Sequence, residues 1–347
     1  MLLLLGPTAE ITALRKGSEH ASGDADRMDR RKFIILGAAA GLASPAAAES
    51  KRPKIGLLSW LTRTGTPALD QFRDGMQQFG YVEGKNYEIE AYFTGGDREL
   101  TQEIARKFVQ EPVDILVVIA TPAVQIVKEA THTIPIVMQS SDALATGLVP
   151  SLSHPGGNLT GLSLLMTDLA GKRLELLHAI RPNLHSVALL VSTKDPQVPT
   201  YLRETQAAAD RLGVALSVRP VDGPAAIDQA LFDGMKSDGN EAVIVSPIFF
   251  GAQDRIVAIA MKARLPVIAD FAAFAEVGAL LSYGMGVPAI FRRTAYYVDR
   301  ILKGAKPAEL PIEQPTEFEL VINARTAKEL GWTIPQDVAI QADRVLE

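Results

Sequence analysis

The sequence predicts an α/β protein of two Rossmann-like lobes, each a parallel sheet flanked by helices, joined by a three-segment hinge. Three observations carry this. From Lys54 onward, short β-rich runs alternate with stretches of helical periodicity, the pattern of a parallel sheet whose faces are covered by helices. The order of these runs then returns in the second half of the chain. Two later pieces have no counterpart in the repeat, as expected of a chain that crosses back to its first lobe and again to its second.

The elements follow in order. KIGLLSW (Lys54 to Trp60) is a buried strand; Leu69, Phe72, Met76 and Phe79 recur at helical spacing, and Gly80 ends that helix. YEIEAYF (Tyr87 to Phe93) is the next strand, and Asp97 is the N-cap of a helix that turns Leu100, Ile104 and Phe108 inward. VDILVVIA (Val113 to Ala120), a helix from Pro122, and the strand IPIVM (Ile134 to Met138) complete the first set. VALLVS (Val187 to Ser192) answers the first strand, RLGV (Arg211 to Val214) the first helix end, EAVIVSPIFF (Glu241 to Phe250) the third strand, and RLPVIAD (Arg264 to Asp270) the fourth. The spacings agree: 60 positions separate Ile55 from Ile115 and 56 separate Val187 from Val243. A repeat of this kind predicts two similar units.

The crossings are HPGGNLTGLS (His154 to Ser163), ALLSYGMG (Ala279 to Gly286) with the helix after Pro288, and PIEQPTEFELVIN (Pro311 to Asn323). They place 51–162 and 284–313 in lobe 1, and 163–283 and 314–347 in lobe 2.

Before the first strand lies a different kind of segment. Arg30 and Arg31 lead into an uncharged run from Phe33 to Leu42, and Ala46-Ala47-Ala48 follows. The run is too short to span a bilayer but has the length of a signal-peptide core ending in small residues, and the arginine pair resembles the twin-arginine export signal. Residues 1–48 are therefore expected to be a leader with a cleavable signal, Met28 being a plausible start. The expected compartment is the periplasm, and no membrane insertion is expected after cleavage.

Composition narrows the chemistry. The chain has no cysteine, which excludes disulfides, thiolate metal sites and a cysteine nucleophile. The net charge of −5 and scattered basic residues give no reason to expect nucleic acid. No Gly-x-Ser-x-Gly elbow, phosphate-binding Gly-x-x-x-x-Gly-Lys loop or Gly-x-Gly-x-x-Gly turn is found. His132, His154, His178 and His185 show no metal-ligand spacing. Glu317 and Glu319 share one face of a predicted strand and read as a solvated edge. No catalytic residue, metal or cofactor is expected.

Recognition residues are easier to place. Open parallel sheets bind ligands beyond the carboxyl ends of their strands. That rule selects Ser59, Trp60 and Thr62, then Thr121, then Ser140, Ser141 and Asp142 in lobe 1. In lobe 2 it selects Ser192, Asp195, Ser246, Phe249, Phe250, Asp270 and Phe271, with Tyr283 near the hinge. Trp60, Phe249 and Phe271 are suited to enclose a flat or apolar body, Thr121 and Ser141 to meet a carboxylate, and Asp142 or Asp270 to pair with an ammonium group. Phe250 and Phe274 read better as core, and Ser, Thr and Asp after strands serve equally well as helix caps.

Four segments carry a family resemblance: RPKIGLLSW near the start, IPIVMQSSDALATGLVPSLSHPGGNLTG before the first crossing, LSYG at the second, and YYVDRILKGAKPAELPIEQPTEFELVINARTAKELGWTIP through the last. The chain resembles exported substrate-binding proteins of ABC importers, in the group with tryptophan- and tyrosine-binding members and a type I periplasmic-binding fold. The resemblance implies a monomeric clamp, not an enzyme, that captures a small ligand and delivers it to an ABC permease and its ATPase. It carries ligand-binding roles to Thr121, Asp142, Ser246, Asp270 and Tyr283. An aromatic amino acid, a branched or aromatic carboxylate, a purine-like ring and a sugar derivative all remain open as ligands. A sensor feeding a membrane receptor and a periplasmic hydrolase are the alternative functions.

Overall fold

The computed structural model describes residues 52–63 and 67–347. The leader and signal segment lie outside these residues. Among the described residues, no helix is long and apolar enough to cross a membrane.

The first sheet is built from β1 (Lys54–Ser59), α1 (Ala68–Gln78), β2 (Glu88–Phe93), α2 (Arg98–Gln110), β3 (Ile115–Ile119), α3 (Thr121–Ala130), β4 (Ile136–Ser140) and β5 (Leu159–Ser163). Its strands run parallel in the order β2-β1-β3-β4-β5. β1, β3, β4 and β5 are buried almost throughout, as strands covered on both faces by helices must be, and β4 and β5 carry buried polar residues at Gln139, Ser140, Thr160 and Ser163. Asp97 caps α2, accepting from the Leu100 N–H at 3.0 Å. Gly161 approaches β4 so closely that a Cβ would sit 2.3 Å from the Met138 carbonyl oxygen, and its φ of 128° suits only glycine.

The second half contributes α4 (Ala170–Ile180), β6 (Ser186–Ser192), α5 (Val198–Leu212), β7 (Ala215–Val221), α6 (Gln229–Ser237), β8 (Ala242–Val245), α7 (Gln253–Lys262), β9 (Val267–Ala269), α8 (Ala272–Glu276) and β10 (Leu281–Gly284). There follow α9 (Val287–Leu302), β11 (Glu319–Asn323), α10 (Ala324–Leu330), α11 (Gln336–Gln341) and β12 (Arg344–Leu346). The second sheet is ordered β12-β11-β10-β9-β8-β6-β7 and is parallel except where β11 pairs antiparallel to β10. Its inner strands repeat the order of the first sheet. The repeat is offset by one position in register: Ile55 lies opposite Ile115, whereas Val187 lies opposite Ala242.

The chain passes between sheets three times. α9 returns to the first sheet and packs on α1, β4 and β5. The helices meet at Gly75, where a Cβ would lie 2.9 Å from the Phe291 carbonyl oxygen. Glu313 then bridges to Leu162, and the chain continues into β11.

Three strands are shorter than their apolar runs predict. EAVIVSPIFF ends as a strand at Val245, because Pro247 cannot donate to a ladder and starts a 3₁₀ turn over Pro247–Phe249. RLPVIAD is a strand only over Val267–Ala269, after Pro266. Pro311 and Pro315 hold the third crossing outside the sheet until Glu319. β11 is flanked by β10 and β12, so it is no edge; Glu319 meets Arg344 on β12, while Glu317 precedes the strand.

Candidate functional site

The carboxyl ends of the two sheets face each other across an apolar cavity enclosing about 630 Å³, counting its open mouth. Leu61, Ile119, Leu164, Met166, Phe250, Phe271, Ile290 and Phe291 give it apolar walls. The rings of Phe250 and Phe271 lie 4.3 Å apart at 39°. Both come from loops just beyond β8 and β9, so the strand ends aim aromatic surface into the cleft.

The polar groups are few and come from both lobes. On the first lobe, Thr121, Gln139, Ser140 and Ser141 line the cavity. α3 starts immediately after β3 through Ala120, whose φ of 77° and ψ of 140° place a non-glycine residue in a rarely populated region. This abrupt turn sets the start of α3 against the end of β4: Thr121 Oγ1 lies 3.1 Å from Ser140 Oγ and accepts from the Ser141 N–H at 3.2 Å. Gln139 is held by donating to Thr294 Oγ1 of α9 at 2.9 Å.

On the second lobe, Asp195 lines the cavity and is 8% exposed. One of its oxygens accepts from the Gln197 N–H at 3.0 Å. Burial pushes its carboxyl up to about 6, an effect that the Gln197 N–H opposes. Among the described residues lining the cavity, none is Lys, Arg or His. The lobes are also tied directly, since Gln197 Nε2 donates to Thr121 Oγ1 at 3.4 Å and to the Asp142 carbonyl at 3.3 Å.

The other predicted residues sit elsewhere. Asp142 accepts from the Leu144 and Ala145 N–H groups at 3.1 and 3.0 Å, fixing the turn after β4. Ser59 accepts from the Leu61 N–H at 3.2 Å, inside the core. Ser246 is buried in the turn after β8, its carbonyl accepting from the Phe249 N–H at 3.1 Å. Trp60, Thr62, Ser192 and Phe249 line a narrower crevice with Gly95, Gly96 and Asp222. Phe274 is core, whereas Phe250, read from sequence as core, forms part of the cavity wall.

Asp270 forms a fully buried ion pair with Arg173 of α4. Arg173 also donates from Nε to the Tyr283 carbonyl at 2.9 Å, and from Nη1 to the Met166 carbonyl at 3.2 Å and Tyr201 Oη at 3.4 Å. Burial raises the Asp270 carboxyl and the guanidinium opposes that rise. Tyr283 contributes its carbonyl to Arg173 and sets its ring 6.0 Å from Phe318. Among the described residues, no group of three His, Asp or Glu side chains is placed to hold a metal ion.

Sequence reasoning missed Arg173 and Gln197. Gln197 was within its reach, standing just beyond β6 beside Asp195; Arg173 was not, lying in a leucine-rich helix remote from Asp270 in the chain.

Residues 64–346 match the family described as ABC transporter substrate binding protein. The chain belongs to that family. As an ABC transporter substrate-binding protein it has the fold of type I periplasmic binding proteins, two α/β lobes around a cleft. It is 25% identical over 269 residues to the tyrosine-binding protein of Clostridioides difficile (strain R20291), covering 76% of this chain and 77% of that protein. Among solved structures it resembles the ABC domain in complex with L-Trp from Streptococcus pneumonia, with a TM-score of 0.75, 28% identity, and coverage of 85% of this chain and 100% of that one. It also resembles the ligand-free, open structure of a substrate binding protein with adhesive properties from Clostridium difficile, with a TM-score of 0.58, 25% identity, and coverage of 85% and 99%.

Proposed function

We propose that this substrate-binding protein is exported to the periplasm through its twin-arginine-like signal and works there as a monomer. It captures an aromatic, amino-acid-like solute and passes it unchanged to an ABC permease and its ATPase. The observation that carries this reading is the cavity between the two sheet ends, walled by phenylalanines and aliphatic residues, with hydroxyls on one lobe and an unneutralised carboxylate on the other. In this reading the lobes comprise 51–162 with 284–313, and 163–283 with 314–347.

The chemistry of the lining selects the solute. Phe250, Phe271 and Phe291 receive its ring; burying about 150 Å² of aromatic surface at roughly 25 cal/mol per Å² contributes about 4 kcal/mol. Ser140 and Ser141, beside the start of α3, meet its carboxylate without a basic side chain. Asp195 faces its ammonium group. Asp142 and Asp270 are each committed to partners within the protein, which leaves this role to Asp195. A tyrosine-binding relative and a likeness to an L-Trp complex support the same class. The higher TM-score to that complex than to the open structure agrees with lobes drawn together.

A solute touching both lobes stabilises the closed state over the open one, and that difference alone shifts the populations. Calorimetric titration of the chain from Glu49 onward with L-tryptophan, L-tyrosine, L-leucine, adenine and glucose tests the proposal. Micromolar or tighter binding of an aromatic amino acid, recovered unchanged, is expected. Binding only of adenine or glucose, or conversion of the bound compound to product, would overturn it.

A further inference from the structure

Gln197 does more than tie the lobes together. It precedes α5, is 3% exposed, and its side chain caps no N–H of that helix. Its Nε2 reaches across to Thr121 Oγ1 and the Asp142 carbonyl. Thr121 Oγ1 also accepts from the Ser141 N–H and lies within hydrogen-bond distance of Ser140 Oγ.

A hydroxyl has one proton and two lone pairs. With Ser141 N–H and Gln197 Nε2 occupying both lone pairs, Thr121 has only its proton left for Ser140. Ser140 Oγ is then the acceptor. Its own proton has no other partner among the described residues, and Ser140, fully buried while the lobes touch, borders the cavity.

Building on the solute reading above, we propose that Gln197 is a positioning residue: its docking on Thr121 fixes the direction of the Thr121–Ser140 hydrogen bond and leaves the Ser140 proton for an acceptor on the solute. When the lobes part, Thr121 regains a lone pair and Ser140 donates to it instead. A solute carboxylate on Ser140 therefore favours the closed arrangement. By the same count Thr121, with every hydrogen-bonding position filled, makes no direct hydrogen bond to the solute in the closed state.

The test is a double-mutant cycle with L-tryptophan, using Gln197→Leu, Ser140→Ala and both together. Each single change is expected to raise Kd by about five- to tenfold, the scale of one lost hydrogen bond, and the double variant should bind more tightly than the product of the two effects predicts, the remaining cost being the Gln197 bond to the Asp142 carbonyl. Full multiplication of the two effects, or an unchanged Kd in Gln197→Leu, would overturn the coupling; thermal melts check that the variants fold. A second readout needs no solute. The chain has no native cysteine, so Glu99→Cys and Ala225→Cys can carry spin labels, one on each lobe. Without solute, Gln197→Leu is expected to lengthen the label distance, and to lengthen it less in a Thr121→Val background, where only the bond to the Asp142 carbonyl remains to be lost. If the wild-type protein binds neither L-tryptophan nor L-tyrosine, the solute reading fails alone, and the label distances still decide the latch. Unchanged distances would reject it.

Discussion

Asp195 is a carboxylate held in an apolar wall with one N–H for company and no basic residue beside it in the cavity. Burial raises its carboxyl to about 6, so the ligand-free protein binds an extra proton between the unfolded value near 3.9 and about 6. The group's contribution to stability is full below that window and is lost as pH rises through it. An ammonium group on the solute prefers the ionised form, so binding follows the opposite trend. At pH 5 only about a tenth of the free protein carries the ionised carboxylate, and the Kd for L-tryptophan should be about tenfold weaker than at pH 7.5. Asp195→Asn should flatten this dependence, which calorimetry at both pH values would show. Thr121, Ser141, Asp195 and Phe271 were legible because a general rule places residues beyond strand ends at the cleft. Asp142 and Asp270 obey the same rule yet have internal partners, and no local pattern distinguishes a carboxylate that caps a turn or pairs with a distant arginine from one that faces a solute.

At the scale of elements, α4 is where periodicity is least informative. Arg173, Leu174, Leu176 and Leu177 are all buried, because this helix packs on α5 and β10 as well as β9. Its arginine binds the carbonyls of Met166, three residues past the first crossing, and Tyr283, in the second. Arg173→Ala would leave Asp270 buried without a counter-charge and should destabilise the protein by about 3–5 kcal/mol, read as a fall in denaturation midpoint; a loss below about 1 kcal/mol would show that water replaces the guanidinium. The main strands and the α2 cap were legible from apolar runs and spacing. The exact ends of β8, β9 and β11 were not, because proline withdraws a ladder donor after an apolar run has begun or before it has ended. β12 and the short C-terminal helices were missed for a different reason: three to seven residues carry too little periodicity to announce an element.

For the whole molecule, closure converts solute affinity into stability. A solute present at 100 times its Kd adds about 2.7 kcal/mol to the folded state, so the melting temperature should climb steadily with L-tryptophan concentration. A flat response across a hundredfold range would mean that the cleft does not take this compound. The doubled architecture was legible because strand order and spacing recur, and the three passages followed from pieces left over once the repeat was complete. The lobes' contact through Gln197 was not, since that bond exists only after both sheets have formed and met.

The return of α9 to α1 also shapes how the chain is made. The stripe of Phe72 and Met76 on α1 emerges early, but Ile290, Phe291 and Ala295, which cover it, are synthesised only after β6 through β10. Until then the apolar face of α1 lacks its native cover. The first lobe cannot be finished before most of the second has been translated, so the two parts that separate to admit a solute mature together.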